Sequence, residues 1–204
     1  MVDLIPSPDS VMEILKKTGA YRKGHFVYPN GKHASHYFQM PLAFRYYDNA
    51  RILSVGLSRM FRMEKSISSR LPKVSVISPS PGGIMVAFGV REALSAEQIY
   101  WAETEDGKRQ FRQYMAETDV HPVIIVDDII RSGKAIAETI GLCQEINAEV
   151  IGIGAIARFE DGPEEFDGIP VKSLLTFDVN FYANEDEWKV SRSASDATEE
   201  KVRF

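Results

Sequence analysis

Two adjacent carboxylates, Asp127 and Asp128, separate the apolar run 123–126 from a short turn that contains Ser132 and Gly133. Carboxylates at the end of a buried strand can accept hydrogen bonds from a sugar diol or approach a hard cation. Backbone N–H groups in a turn that opens a helix can bind phosphate oxygens, and a glycine lets the backbone come close to them. The order of these residue types therefore indicates a site for a phosphorylated sugar.

The same residues also allow a purely structural interpretation. Asp127 and Asp128 could be the end of a strand followed by a helix N-cap, which is the commoner role of an isolated Asp-Asp pair. The apolar run before the pair and the Ser-Gly turn after it favour the binding site, because the structural interpretation requires neither of them.

Alternating strands and helices are predicted from residue 74 onward. Apolar runs that suit buried strands are separated by helix-length segments, which is typical of a mostly parallel sheet covered on both faces. The predicted strands are 74–77, 98–101, 123–126, 150–157 and 171–175, and the predicted helices are 9–18, 49–61, 84–94 and 135–146. Residue Asp9 or Ser10 is the expected N-cap of the first helix.

Three loops are expected to carry the chemistry, because ligands of such a sheet bind beyond the carboxyl ends of its strands. These loops are residues 79–83, 103–119 and 127–134. An earlier aromatic-rich segment, 24–41, predicts a strand, a turn and a second strand.

Composition narrows the class of protein. The 204 residues carry a net charge of −5, which argues against general nucleic-acid binding, and 44% of them are hydrophobic, as in an ordinary globular domain. The single cysteine, Cys143, excludes an internal disulfide and predicts a small buried hydrophobe on a helix. No signal peptide and no membrane span are visible, so we expect a cytoplasmic protein without a membrane partner.

The segment 123–135 resembles the binding motif for phosphoribosyl pyrophosphate (PRPP) of the type I phosphoribosyltransferases. That motif has an apolar strand, two acidic residues, two apolar residues and a small Thr/Ser-Gly turn. The resemblance implies that Asp127 and Asp128 contact the ribose hydroxyls while the turn holds the 5′-phosphate. The PRPP-binding residues that it implies are Ile130, Arg131, Ser132, Gly133, Lys134 and Ala135. Arg131 and Ala135 depart from the residues usual in the motif.

Three further stretches resemble orotate phosphoribosyltransferases. Residues 24–39 are similar to a segment that helps to form a hood over the base, residues 77–84 to the pyrophosphate-binding loop, and residues 103–112 to the mobile catalytic loop. The resemblance implies base contacts at Phe26, Tyr28 and Arg158, pyrophosphate contacts at Pro81, Gly82 and Gly83, and catalytic cations at Lys108, Arg109 and Arg112. This sequence departs from the residues usual in those stretches at Asn30, Ala34 and Gln113.

Each of these stretches has a plainer interpretation as well. The aromatic segment could be a core hairpin, the Pro-Gly loop an ordinary tight turn, and the charged stretch a solvated loop. Arg158 could be a surface arginine at the end of a strand.

The resemblance implies an α/β fold with a mostly parallel central sheet flanked by helices, the type I phosphoribosyltransferase fold, and a small N-terminal hood at about residues 20–45. A single domain would span residues 1–204, with 185–204 as a polar tail, mobile or helical. The implied reaction transfers the phosphoribosyl group of PRPP to orotate, in a homodimer, with Mg²⁺ bound through the substrate. Two alternatives stay open: an enzyme for another base, and a non-catalytic PRPP-binding regulatory protein.

Overall fold

A computed structural model describes residues 5–28, 31–111 and 121–191 of the chain. The helices within these ranges are α1 Pro8–Thr18, α2 Pro41–Phe44, α3 Tyr47–Arg62, α4 Lys65–Ser68, α5 Ile84–Leu94, α6 Lys134–Glu145 and α7 Glu185–Val190. The strands are β1 Tyr21–Val27, β2 His33–Phe38, β3 Ser75–Ser78, β4 Gln98–Glu105, β5 Lys108–Phe111, β6 Val123–Ile130, β7 Val150–Phe159, β8 Glu165–Phe166, β9 Ile169–Phe177 and β10 Phe181–Tyr182. None of the helices in the described ranges has the length and apolar character to cross a bilayer.

The central sheet has seven strands in the order β5-β4-β3-β6-β7-β9-β8. The five inner strands pair in parallel, and short antiparallel strands close both edges. This arrangement confirms the predicted α/β fold with a mostly parallel sheet. It also brings the carboxyl ends of β3, β6 and β7 to one edge, where the predicted site residues follow.

Both faces of the sheet are buried. Successive side chains of a strand point to opposite sides, so each inner strand contributes to both cores. Ile124 and Val126 of β6 pack into the core formed with α1, α3 and α5, whereas Ile125 packs into a second core against α6. Cys143 of α6 lies in that second core, and burial raises its pKa to about 12. The prediction that Cys143 is a buried small hydrophobe is therefore confirmed.

A separate three-stranded antiparallel sheet, in the order β1-β2-β10, forms the hood. The predicted strand-turn-strand segment supplies β1 and β2, and β10 adds to it from far along the chain. In the predicted polar tail, α7 packs Trp188 onto the hood residue His25, with ring centroids 3.7 Å apart. Residues 192–204 of that tail lie outside the described residues.

Several predicted boundaries of strands and helices were wrong, and two of these errors concern the candidate site. β6 extends to Ile130, so Asp127 and Asp128 lie inside the strand ladder and not beyond its end. The predicted loop 103–119 is partly a hairpin, because β4 runs to Glu105 and pairs with β5. The N-cap of α1 is Ser7, whose side-chain oxygen accepts from the backbone N–H of Ser10, and not Asp9 or Ser10.

Candidate active site

The two adjacent carboxylates lie in β6 at the edge of the sheet where β3 and β7 also end. Asp127 is 4% exposed. Its Oδ1 atom accepts hydrogen bonds from the Ser80 hydroxyl at 2.7 Å and from the backbone N–H of Asp128 at 3.0 Å. The Oδ1 atom of Asp128 accepts from the backbone N–H of Ile129 at 2.9 Å. These contacts hold both carboxylates in place.

Burial raises the pKa of both aspartates above the ordinary value of a carboxyl group. For Asp127, the negative charge of Asp128 raises the pKa further, and the hydrogen bond from Ser80 only partly offsets this. The pair is therefore costly to ionise in the ligand-free protein. A diol or a cation that reaches the carboxylates would replace the solvation they have lost.

The Pro-Gly loop between β3 and α5 packs directly against these carboxylates. A Cβ atom on Gly82 would lie 2.7 Å from Oδ2 of Asp128, and one on Gly83 would lie 2.6 Å from Oδ1 of Asp127. Only glycine fits such close approaches. The structure thus brings Gly82 and Gly83 to the aspartates, and Ser80 joins the loop to Asp127. The contacts of these residues with pyrophosphate and ribose stay a prediction.

The turn after β6 leads into α6 through Gly133, whose φ of 71° lies in the left-handed region that favours glycine. The hydroxyl of Ser132 accepts from the backbone N–H of Lys134 at 3.4 Å. A Cβ atom on Gly133 would lie 2.5 Å from Cγ of Pro163 and 2.6 Å from Cζ of Phe166, so the segment after β7 supports this turn from behind.

The remaining residues of the predicted phosphate turn differ in exposure. The side chain of Ile130 is buried in the core, so a contribution to binding would come from its backbone. Ala135 is half-buried, and Lys134 is exposed, with its Nζ atom 3.6 Å from Oε1 of Glu138 on α6.

The β4–β5 hairpin reaches the same region through Arg109. The guanidinium of this residue donates a hydrogen bond to the carbonyl oxygen of Pro79 and another, of 3.0 Å, to Oε2 of Glu138. Arg109 therefore ties the hairpin to the Pro-Gly loop and to α6. Lys108 is exposed at the start of β5, and Arg112 and Gln113 lie outside the described residues.

The predicted base contacts differ in their surroundings. Phe26 is buried in the hood and stacks on Tyr37, with centroids 5.5 Å apart, whereas Tyr28 is half-buried and meets Phe181 edge-on at 5.6 Å. Arg158 is 8% exposed and is bound within its own segment, to the carbonyl oxygens of Phe159 and Gly162 and to Glu164. The role of these three residues in base binding stays a prediction.

Sequence reasoning missed three contributors to the site. Ser80 and Glu138 bind Asp127 and Arg109, and a serine in a Pro-Gly loop or a glutamate on a helix gives no signal by itself. Phe181 lies under the guanidinium of Arg131, at 3.5 Å from ring centroid to Cζ. Its short strand has no periodicity from which this position could be predicted.

Comparison with known proteins gives an independent result. No family model matches the chain. It is 31% identical over 176 residues to the orotate phosphoribosyltransferase of Thermotoga petrophila, which covers 86% of this chain and 89% of that protein. It is also 31% identical over 178 residues to the orotate phosphoribosyltransferase of a Thermoanaerobacter species, covering 87% of this chain and 89% of the relative.

Among solved structures, the orotate phosphoribosyltransferase of Aeropyrum pernix superposes with a TM-score of 0.66 over 82% of this chain and 93% of that chain, at 21% sequence identity. That likeness shows the fold. The sequence relatives extend the agreement over nearly their whole length. The chain therefore belongs to the orotate phosphoribosyltransferase family.

Proposed function

We propose that this protein transfers the phosphoribosyl group of PRPP to orotate, forming orotidine 5′-monophosphate and pyrophosphate. The observation that carries the proposal is the convergence of Asp127, Asp128, Gly82 and Gly83 beside a helix-opening turn, in a chain of this family. A carboxylate pair suits a ribose diol, and glycine-lined backbone on either side suits the phosphate groups at the two ends of PRPP.

The chemistry needs positioning and charge stabilisation and no covalent nucleophile. A ring nitrogen of orotate forms a bond to C1 of the ribose while the bond from C1 to the pyrophosphate oxygen breaks, and the leaving group takes the electron pair. Positive charge develops on the ribose and negative charge on the pyrophosphate. Asp127 and Asp128 orient the ribose hydroxyls, the turn at 131–135 holds the 5′-phosphate, and residues 81–83 receive the pyrophosphate.

Lys108, Arg109 and Arg112 are the cations that we assign to the departing pyrophosphate. Arg109 supports this assignment, because its guanidinium already contacts the Pro79 carbonyl at the start of the Pro-Gly loop. Closure of the catalytic loop over the substrates would bring the other two cations to the leaving group and exclude water.

Mg²⁺ fits the donor set at this site. Asp127 and Asp128 offer hard carboxylate oxygens, and burial raises the pKa of both, so a divalent cation would favour their ionised forms. Bound mainly through the phosphate oxygens of PRPP, the ion would act as a Lewis acid and neutralise charge on the leaving group. We place the reaction in the cytoplasm, where its phosphorylated substrate is retained.

The protein is also proposed to act as a homodimer. Exposed aromatic and aliphatic side chains line a groove of about 620 Å³ between α3 and α5, among them Tyr47, Met85 and Phe88, and such a patch is typical of a protein interface. A second copy of the chain would bury this groove.

Sedimentation equilibrium should show a dimer at micromolar concentration, and Phe88→Glu should shift the equilibrium toward monomer. A monomeric unmodified protein would contradict the assignment.

An activity assay tests the central proposal. With PRPP and Mg²⁺, the purified protein should consume orotate and release pyrophosphate, while uracil and hypoxanthine in parallel reactions should give little product. Calorimetry with PRPP separates the alternatives: PRPP binding without turnover of any base would indicate a regulatory protein, and turnover of another base would indicate a different specificity. Either result would refute orotate as the substrate.

A further inference from the structure

We propose that Glu138 of α6 is a positioning residue for the reaction, and that it acts by orienting the guanidinium of Arg109 toward the departing pyrophosphate. The inference rests on the proposed function and deepens it, because it names the side chain that sets the direction of one of the assigned cations. Glu138 itself touches no substrate in this arrangement. It acts on the reaction through the guanidinium that it holds.

The pleat of β5 directs Arg109 toward α6. Residues 109 and 111 lie on the same face of this strand, because side chains two positions apart point to the same side. Phe111, on that face, packs against the core that contains Ile136 and Ile140 of α6. Lys108 belongs to the opposite face and is exposed. Among the described residues, Arg109 is therefore the assigned cation that the strand presents to α6.

Two contacts hold the side chain of Arg109. Its Nε atom donates a hydrogen bond of 3.0 Å to Oε2 of Glu138, and its Nη1 atom donates to the carbonyl oxygen of Pro79. The side chain of Arg109 is only 13% exposed, so it cannot sample many directions. Within the described ranges these contacts use two of the five N–H donors of a guanidinium, so the other donors can bind an oxyanion while Glu138 keeps its contact.

The contact with Pro79 places Arg109 on the pyrophosphate side of the site. Pro79 begins the Pro-Gly loop, whose Gly82 and Gly83 approach the carboxylate pair closely. A guanidinium bonded to the first carbonyl of that loop lies beside the position that we assign to the leaving group. Of its two protein partners, Glu138 is the one that supplies a full opposite charge, so Glu138 dominates the orientation.

The carboxylate of Glu138 also meets a second cation. Its Oε1 atom lies 3.6 Å from Nζ of Lys134, at the first residue of α6. The hydrogen bond from Arg109 lowers the pKa of Glu138, and the positive charges of Lys134 and Arg109 lower it further, so the carboxylate is ionised at neutral pH. Lys134 is largely exposed and Arg109 is not, which makes the contact with Arg109 the geometrically fixed one.

The hairpin does not depend on Glu138 for its place in the fold. β5 pairs with β4 from Lys108 to Phe111, and Phe111 adds an apolar contact with the second core. Loss of the negative charge of Glu138 should therefore change the direction of the guanidinium and leave the hairpin docked. The consequence is expected in kcat, because a cation aimed at the leaving group stabilises the transition state more than the bound substrate.

A double-mutant cycle on Glu138 and Arg109 tests the inference. Glu138→Gln keeps the shape and loses the charge, and it should lower kcat about 10-fold while the KM values for orotate and PRPP change by less than about threefold. In an Arg109→Gln background, the same substitution should change kcat by less than about twofold, because no guanidinium is left to orient.

Two further variants make the cycle specific. Glu145→Gln, at the exposed end of the same helix, is the matched control and should behave as the unmodified protein. Glu138→Asp keeps the charge on a side chain that is one methylene shorter, so its kcat should lie between those of the unmodified protein and Glu138→Gln. Melting curves identify any variant that fails to fold, and if Glu138→Gln does, Glu138→Asp takes its place in the cycle.

Three results would overturn the inference. An unchanged kcat in Glu138→Gln would leave Glu138 as a surface ion pair. Losses that add in full in the double variant would show that Glu138 acts independently of Arg109. A rise in both KM values together with a lower melting temperature would make Glu138 a structural support. The proposed function stands in each case, whereas an unmodified protein that does not consume orotate overturns both.

Discussion

Replacing both Asp127 and Asp128 with Asn is expected to reduce turnover by about 100-fold or more while the protein stays folded. Asn has nearly the same shape as Asp, and its carbonyl oxygen can still accept the hydrogen bonds from Ser80 and from the backbone. The variant loses the negative charge that stabilises the ribose as positive charge develops. It also loses the stronger acceptors for the ribose hydroxyls.

The same variant should be more stable than the unmodified protein near neutral pH, and the sign follows from the pKa shifts. Burial raises the folded-state pKa of both aspartates, so the folded protein holds protons that the unfolded chain, with an ordinary carboxyl pKa of about 3.9, has released. Stability then falls as the pH rises through the window above that value, and the loss persists at neutral pH. Asn does not ionise, so the variant does not lose stability as the pH rises through this window.

Melting temperatures of both proteins between pH 4 and pH 8, together with initial rates, check the two parts of this prediction. The difference in melting temperature should grow in favour of the variant as the pH rises. Asp9→Asn, on the exposed first turn of α1, is the matched control and should change neither the rate nor that difference. Unaltered turnover in the double variant would remove the aspartates from the mechanism.

The position of the carboxylate pair on a buried strand that leads into a helix could be predicted from the sequence, because a run of β-branched residues followed by two acids and a Ser-Gly turn is a local pattern. The residue at which β6 ends could not be predicted in this way. Charged residues normally indicate that a strand has ended, yet β6 continues through Asp127 because its pairing with β7 continues, with Asp127 opposite Ala155 and Ile130 opposite Arg158. Tertiary pairing decided that boundary.

The β4–β5 hairpin did leave a signal that could have been used. Asp106 and Gly107 both have positive φ, of 50° and 76°, and Asp-Gly between two short strands is a strong hairpin indicator. The charged residues on both sides of this turn gave β4 and β5 no clear apolar pattern, so the strands were not predicted there. By contrast, β10 has two residues and pairs with β2 from far along the chain, so no local pattern could have placed Phe181 beside Arg131. Elements with a local sequence pattern were predictable here, and long-range contacts were not.

Gly83→Ala is expected to reduce turnover by about 100-fold, because displacements of about 1 Å at a reacting centre have effects of that size. The new methyl group would lie 2.6 Å from Oδ1 of Asp127, 2.7 Å from Oγ of Ser78 and 3.0 Å from Cα of Asp127. A side-chain rotation cannot relieve the contact with Cα. The Pro-Gly loop and β6 would have to separate, and overpacking of this kind costs about 1–3 kcal/mol.

Gly141→Ala provides the matched control for this substitution. Gly141 lies in α6, and a Cβ atom there meets nothing within 4 Å, so alanine should leave turnover unchanged and stabilise the helix by up to about 1 kcal/mol. Initial rates and denaturant unfolding of the two variants give the comparison. If Gly83→Ala retained full activity, the two carboxylates and the Pro-Gly loop could not form one tightly packed site. The close approach of the loop to β6 would then have no catalytic consequence, since the methyl group enters at the point where ribose and pyrophosphate are proposed to meet.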